Sequence, residues 1–258
     1  MQFKPEGTMR SEIFVSSTLS RKQFQTILEL FHESDHKLGD DRNEIKIIEF
    51  EGKRLVVKSF KVPNIVNRIA YRFFRKSKAE RSYLNANYLK EHGIGTPDPV
   101  AFLEYRSALG FYESYYVSEY TDHDFTFREL IHDSSIENKQ GILEAFTQFV
   151  FKMHESQIYF LDNSPGNTLI SIKEGSYEFE LVDLNRMKFY EIPVTDRLKN
   201  FERLSPQKWM YDIMGATYAK LAGLEKDDTI ETMWHHAKKF RQYFQNKKRL
   251  KKKFKKFI

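Results

Sequence analysis

Three residues in the second half of the chain, Asp162, Asn167 and Asp183, have the types and the spacing that phosphoryl transfer requires. That reaction needs a carboxylate to orient the attacking hydroxyl, and an Asn and a second Asp to hold Mg2+ against the nucleotide phosphates. Asp162 opens the segment Asp162-Asn163-Ser164-Pro165-Gly166-Asn167, and Asp183 closes the apolar run Phe179-Glu180-Leu181-Val182-Asp183. Between Phe160-Leu161 and Ser164-Pro165-Gly166, Asp162 has no obvious structural duty beyond an Asx turn. Asn167 and Asp183 offer hard oxygens of the kind Mg2+ takes a few at a time, leaving its other positions to phosphate and water. A lone strand-terminal Asp is often a cap; the set of three carries the signal.

Phosphate chemistry also needs a cation. Lys58 is the single charge in the apolar stretch Leu55-Val56-Val57-Lys58-Ser59-Phe60, where it is costly unless it faces a phosphate or a carboxylate. The alternative is an edge-strand lysine reaching solvent. Glu80, 22 residues further on, is placed to orient the Lys58 ammonium, but Ser77-Lys78-Ala79-Glu80 also reads as a capping box. His154, at the end of an amphipathic helix, reads as a packed or capping histidine. His235-His236 lack metal-site spacing, so no zinc is assigned. The segment Gly39-Asp40-Asp41-Arg42-Asn43 is the candidate phosphate-covering loop, with one Gly where eukaryotic-type kinases use three.

Positioning these residues calls for two kinds of structure. In the first half, apolar periodicity predicts a helix around 24–31, a hairpin of strands at 44–50 and 54–60, a helix ending at residue 91, and strands at 99–105 and 111–120. Gly93-Ile94-Gly95-Thr96-Pro97 stops the helix. From there the pattern turns mostly helical: 136–154 is amphipathic, 208–221 and 229 onward are helical, and strands at 168–172 and 177–182 form the hairpin that delivers Asp183. The expected organisation is a nucleotide-binding N-lobe over 1–120, a helical C-lobe over 121–246 and a basic amphipathic tail over 247–258.

The chain has 258 residues, 40% hydrophobic and 15% aromatic, which suits a folded core. With no Cys there are no disulfides, thiolate nucleophiles or Cys-ligated metals, and a reducing compartment is expected. The N-terminal residues lack the apolar core of a signal peptide and no apolar run reaches bilayer length, so a cytoplasmic location is expected. The net charge of +6 resides in the tail: eight Lys and Arg fall between Lys247 and Lys256, and without them 34 basic residues face 36 acidic ones. That tail, with Leu250, Phe254, Phe257 and Ile258 on one helical face, suits an anionic membrane surface. The alternatives are a frayed terminus or a nucleic-acid tail, the latter the weakest because the body carries no basic surplus.

Taken together, Val56-Val57-Lys58-Ser59-Phe60-Lys61, Arg75-Lys76-Ser77-Lys78-Ala79-Glu80-Arg81, Gly93-Ile94-Gly95-Thr96-Pro97, Asp162 to Asn167 and Leu181-Val182-Asp183-Leu184-Asn185-Arg186-Met187 resemble the lipopolysaccharide core kinases, in particular the Kdo kinase branch. The resemblance implies an α+β, protein-kinase-like two-lobed fold with a small antiparallel-sheet N-lobe and a mainly helical C-lobe. By the same resemblance Lys58 holds the ATP phosphates, Asp162 is the catalytic Asp, and Asn167 and Asp183 bind Mg2+. The implied acceptor is a Kdo sugar of the inner-core precursor, Kdo-lipid A, reached at the inner face of the inner membrane; no nucleic-acid partner is expected. Arg68, Arg72, Arg75, Lys76 and Arg81 would then either pair with acceptor anions or form a basic helix face packed on the lobe. Two departures stand out: Phe160 occupies the position where such kinases carry His, and the match does not fix the lysine-pairing acid. Other readings are a kinase of a small molecule or a protein, and a catalytically silent membrane scaffold of the same fold.

Overall fold

The computed structural model describes residues 10–35, 37–38, 43–60, 76–107 and 110–254. The candidate loop at 39–42, the cationic residues Arg68, Arg72 and Arg75, and the tail from residue 255 lie outside the described residues. The chain divides into two compact units, one of residues 1–91 and 96–121, the other of 92–95 and 122–258.

The first unit is built on alternation. Strands β1 (Arg10–Ser16), β2 (Lys37–Leu38), β3 (Asn43–Phe50), β4 (Lys53–Phe60), β5 (Pro99–Ser107) and β6 (Gly110–Glu119) form one sheet in the order β1-β5-β6-β4-β3-β2. All neighbours are antiparallel. Between β3 and β4 the turn residues Glu51 and Gly52 have φ of 49° and 76°, the left-handed pair whose twist matches a two-residue hairpin. Helix α1 (Arg21–Glu33) starts at a reciprocal capping box between Ser20 and Gln23. It buries Phe24, Ile27, Leu28 and Phe31 against Ile48, Leu55, Val57, Leu103, Tyr115 and Val117; each such side chain contributes about 1.5–3 kcal/mol by leaving water. Helix α2 (Lys78–Glu91) packs on β5 and β6, with Tyr83 against Phe102 at 5.4 Å between rings.

In the second unit, β7 (Phe125–Thr126), α3 (Phe127–His132), α4 (Lys139–Glu155) and β8 (Ile158–Phe160) precede a hairpin of β9 (Thr168–Lys173) and β10 (Ser176–Leu181). After it come β11 (Met187–Phe189), α5 (Val194–Lys199), α6 (Lys208–Ala222) and α7 (Lys226–Phe254). Helix α4 begins at Lys139, three residues later than the apolar pattern suggests, because Asn138 takes a left-handed conformation (φ 48°) and its side chain accepts from Gly141 N–H at 3.2 Å. That is a side-chain N-cap. Phe146 of α4 packs on Phe127 and Phe179, and Tyr218 of α6 on Phe151 and Phe201. Helix α7 runs unbroken from the body into the basic tail. Among the described residues no helix is long and apolar enough to cross a membrane.

Candidate active site

Lys58 does not lie on an edge strand. β4 sits between β3 and β6, and Lys58 is paired with Ile45 on one side and Tyr116 on the other. Cross-strand partners share a face, so Lys58 projects with Tyr116, Phe102, Phe60, Ser114 and Glu104 toward the side covered by α2. It is only 8% exposed and its ammonium lies 5.3 Å from the Phe60 ring. A second buried lysine, Lys46 of β3, projects to the opposite face. Its ammonium binds the carbonyls of Phe31 and Ser34 at the end of α1, a purely structural use.

Glu80 stands in the first turn of α2. Its N–H donates to Ser77 Oγ at 3.0 Å, so the capping half of the expectation is present. Its carboxylate lies 3.9 Å from Arg106 of β5, whose guanidinium also grips Glu104. Burial, then the neighbouring Glu104, pushes the Glu80 carboxyl above its ordinary range, against the pull of Lys76 and Arg106. Glu104 is wholly buried. It is a charged residue on this face that the sequence reading passed over.

The second unit brings Asp162, Asn167 and Asp183 together. After β8 the chain turns through Asp162 into a 3-10 turn, Pro165–Asn167. Asn167 Nδ2 donates to the Asp162 carbonyl at 2.9 Å, closing the loop on itself, and Val182 N–H donates to the Asn167 carbonyl at 3.0 Å, fastening the Asp183 segment beside it. Gly95 lets this segment in from the other side. It accepts from Leu181 N–H at 2.9 Å, and a Cβ there would stand 2.0 Å from the Phe179 carbonyl oxygen. Asp183 is left-handed, φ 62°, a conformation that non-glycine residues hold mainly where surroundings or function impose it. Asn185 Nδ2 donates to its Oδ1 at 2.8 Å.

The donor set fits Mg2+. Asn167 has its amide nitrogen committed to backbone, which leaves the amide oxygen as the atom it can present, and Asp183 adds a carboxylate oriented by Asn185. Among the described residues no cluster of three His, Cys, Asp or Glu makes an all-protein metal cage, and two ligands completed by phosphate and water are the Mg2+ pattern. Two arginines flank Asp162. Arg203 Nη1 contacts Oδ1, and Arg186 Nη1 reaches both oxygens at 3.3 and 3.2 Å.

The family model described as "Lipopolysaccharide kinase (Kdo/WaaP) family" matches residues 49–223, which include Lys58, Glu80, Asp162, Asn167 and Asp183. The chain belongs to the lipopolysaccharide kinase (Kdo/WaaP) family. Among solved structures the kinase is similar to "WaaP in complex with acyl carrier protein", with a TM-score of 0.59 and 16% identity over 88% of this chain and 98% of that one. At that identity the likeness speaks for the fold, which is the protein-kinase-like one expected from the sequence. A search of curated proteins gave no match.

The kinase supports its Asp162 loop without the His expected at Phe160. Asn200 Nδ2 donates to the Phe160 carbonyl at 2.8 Å, and Asn163 Nδ2 donates to the Asn200 carbonyl at 3.1 Å. Behind Asn200 stands His154, with Nε2 3.0 Å from Asn200 Oδ1 and Nδ1 2.9 Å from the Tyr218 hydroxyl. Because Asn200 Nδ2 is already donating, its Oδ1 must accept, so His154 carries its proton on Nε2 and accepts from Tyr218 on Nδ1. Burial raises the Tyr218 pKa to about 12, which keeps that donor protonated. His154 is the packed histidine expected, with a positioning role that its sequence context does not announce.

Burial lowers the His154 pKa to about 4, opposed by the Asn200 hydrogen bond and assisted by Arg197. Unfolded, the imidazole takes up a proton near pH 6.5. Between these values the unfolded chain binds a proton that the folded chain refuses, so the stability His154 confers is complete above about pH 6.5 and is lost as pH falls toward 4. The expected loss is about 3 kcal/mol over that window. Denaturant unfolding at intervals of pH should show this slope in the wild type and lose it in His154→Gln; matching slopes would remove His154 as the cause.

Proposed function

We propose that this lipopolysaccharide kinase transfers the γ-phosphate of ATP to a hydroxyl of a Kdo sugar in the inner-core precursor, working at the inner face of the inner membrane. The observation that carries the reading is the closed loop of Asp162 and Asn167 fastened through Val182 to the left-handed Asp183. Asp162 orients the acceptor hydroxyl. Asn167 and Asp183 are the Mg2+ ligands and Lys58 is the cation for the nucleotide phosphates; Glu80, in the first turn of α2, is the acid assigned to orient the Lys58 ammonium. Bound Mg2+ neutralises the phosphate charge that grows during transfer. Little covalent work falls to the protein in such a reaction, so the rigidity of the loop, held by Asn200 and Asn163, is the main thing the fold contributes.

Membrane association is proposed through the end of α7. Tyr243, Phe244 and Leu250 are 61%, 53% and 56% exposed there, among Lys247, Lys248 and Arg249. Apolar side chains interleaved with cations suit an anionic leaflet, with about 1 kcal/mol from each cation near the surface.

The test is transfer of labelled γ-phosphate from Mg-ATP to detergent-solubilised Kdo-lipid A precursor, followed by mass and NMR location of the new phosphate. Phosphate on the Kdo residue supports the reading. Phosphate on another core sugar would move the acceptor and keep the chemistry, while failure of every core acceptor together with failure to bind Mg-ATP would leave the silent scaffold.

A further inference from the structure

Asp162 is hemmed by more positive charge than it needs. Arg203 and Arg186 both touch its carboxylate, and around them Lys199 faces Glu202, so the group carries a surplus of one positive charge. The two arginines are held differently. Arg203 is 29% exposed, its Nη1 also reaches the Leu161 carbonyl, and its guanidinium lies over Phe240 at 5.1 Å. Arg186 is 51% exposed and spans both Asp162 oxygens through Nη1 alone, at 3.2 and 3.3 Å. Charge-assisted pairs of good geometry close to about 2.7–2.9 Å. A guanidinium has five donors, and Nη1 is the Arg186 atom in contact here. A third arginine, Arg128 of α3, is exposed and lies against the same loop, its Nη2 2.7 Å from where a Cβ on Gly166 would stand.

We propose that Arg186, with Arg203 behind it, is the acceptor-anion site of this kinase, so that the acceptor must carry a carboxylate or phosphate close to the hydroxyl that is phosphorylated. The proposal rests on the orienting role of Asp162 proposed above. Both Asp162 oxygens are covered by guanidinium, and an acceptor hydroxyl needs one of them. An anion on the acceptor draws the loosely held Arg186 onto itself, through the bidentate geometry that carboxylates and phosphates share, and uncovers Oδ2 for the hydroxyl. Arg203, fixed by Phe240 and the Leu161 carbonyl, keeps Oδ1 in place meanwhile. Recognition and alignment of Asp162 are then one event, and a neutral sugar achieves neither.

The test is a cycle between protein and acceptor. Wild type, Arg186→Gln and Arg203→Gln are assayed with Kdo-lipid A, with its Kdo carboxyl methyl ester and with its dephosphorylated lipid A form. Removing the responsible anion should cost the wild type about tenfold or more in kcat/KM for acceptor, and cost Arg186→Gln little further, with the KM for ATP unchanged in both. Loss with the ester assigns a carboxylate; loss with the dephosphorylated form assigns a phosphate. Equal losses in wild type and Arg186→Gln, or an Arg186→Gln defect confined to kcat on every acceptor, would overturn the site and leave the arginines as props for Asp162. Should the wild type leave Kdo-lipid A untouched, thermal stabilisation of the Mg-ADP form by free Kdo or inorganic phosphate, against an uncharged hexose at equal ionic strength, decides independently. Stabilisation that Arg186→Gln abolishes retains the anion site and discards only the Kdo acceptor. Absence of stabilisation in the wild type discards the anion site.

Discussion

Replacing Asp183 by glycine is expected to abolish phosphate transfer while leaving the protein about as stable as before. The two effects separate because Asp183 serves chemistry at a backbone position that suits it poorly. Its φ of 62° is left-handed, where a side chain costs on the order of 1 kcal/mol and glycine costs nothing. Against that gain stand the polar contacts of its carboxylate, among them the hydrogen bond from Asn185 at 2.8 Å, each worth a similar amount, so the net change in unfolding free energy should stay within about 1–2 kcal/mol. Transfer should fall by roughly a thousandfold or more, since a lost metal ligand removes several kcal/mol of charge stabilisation. Asp183→Asn, which keeps the left-handed preference and the polar contact, should be equally stable and nearly as inactive. Transfer at varied Mg2+, beside thermal unfolding of all three proteins, checks this; activity retained in both variants would remove Asp183 from the metal site.

The largest stability effect is expected within the first unit. Arg106→Met leaves Glu104 wholly buried and without the guanidinium that grips it. Among the described residues neither Glu104 oxygen accepts a hydrogen bond of good geometry, so none of them replaces Arg106 in offsetting the desolvation of its charge. Removing one partner from such a pair destabilises by about 3–5 kcal/mol, a large share of a typical domain's total. Joint replacement, Arg106→Met with Glu104→Leu, should recover most of that, because two apolar groups leave no orphaned charge. Denaturant unfolding of the two singles and the double measures the coupling; additive losses would show that Glu104 is carried by something other than Arg106. Glu80, 3.9 Å from Arg106, ties this pair to the first turn of α2, so a raised KM for ATP in the single variant is the expected companion effect.

What the sequence disclosed depended on how local each feature is. Asp162 and Asn167 are five residues apart on one loop, and Asp183 ends a hairpin of regular alternation, so their types and spacing could be read directly. Lys58 was conspicuous as a charge in an apolar strand, and the sheet order then placed it in the interior rather than at the edge. The same rule applied to Val100-Ala101-Phe102-Leu103-Glu104 would have singled out Glu104. Asn200 and Arg203 gave no such signal. They reach the loop from 40 and 41 residues downstream, through an irregular turn after α5 whose sequence has no period. β1 escaped for the same reason, since its partner strand lies more than 80 residues away and pairing at that range leaves no local trace.

Helix α7 changes what anchoring would mean. It is one helix from Lys226 to Phe254, fixed to the body where Trp234 meets Tyr211, where Arg241 lies over Trp234 and donates to the Pro206 carbonyl, and where Phe240 lies under Arg203. From Phe240 to Phe254 the rise is about 21 Å at 1.5 Å per residue. A flexible tether would raise the concentration of enzyme near lipid and leave its attitude random. A rod rooted beside Arg203 sets a standoff instead: once its far end is seated in a leaflet, Asp162 is carried at a fixed height above the headgroups. Sugars that project to that height would then be within reach and those nearer or farther would not, so that under the proposed anchoring the length of α7 would act as a ruler along the lipopolysaccharide core.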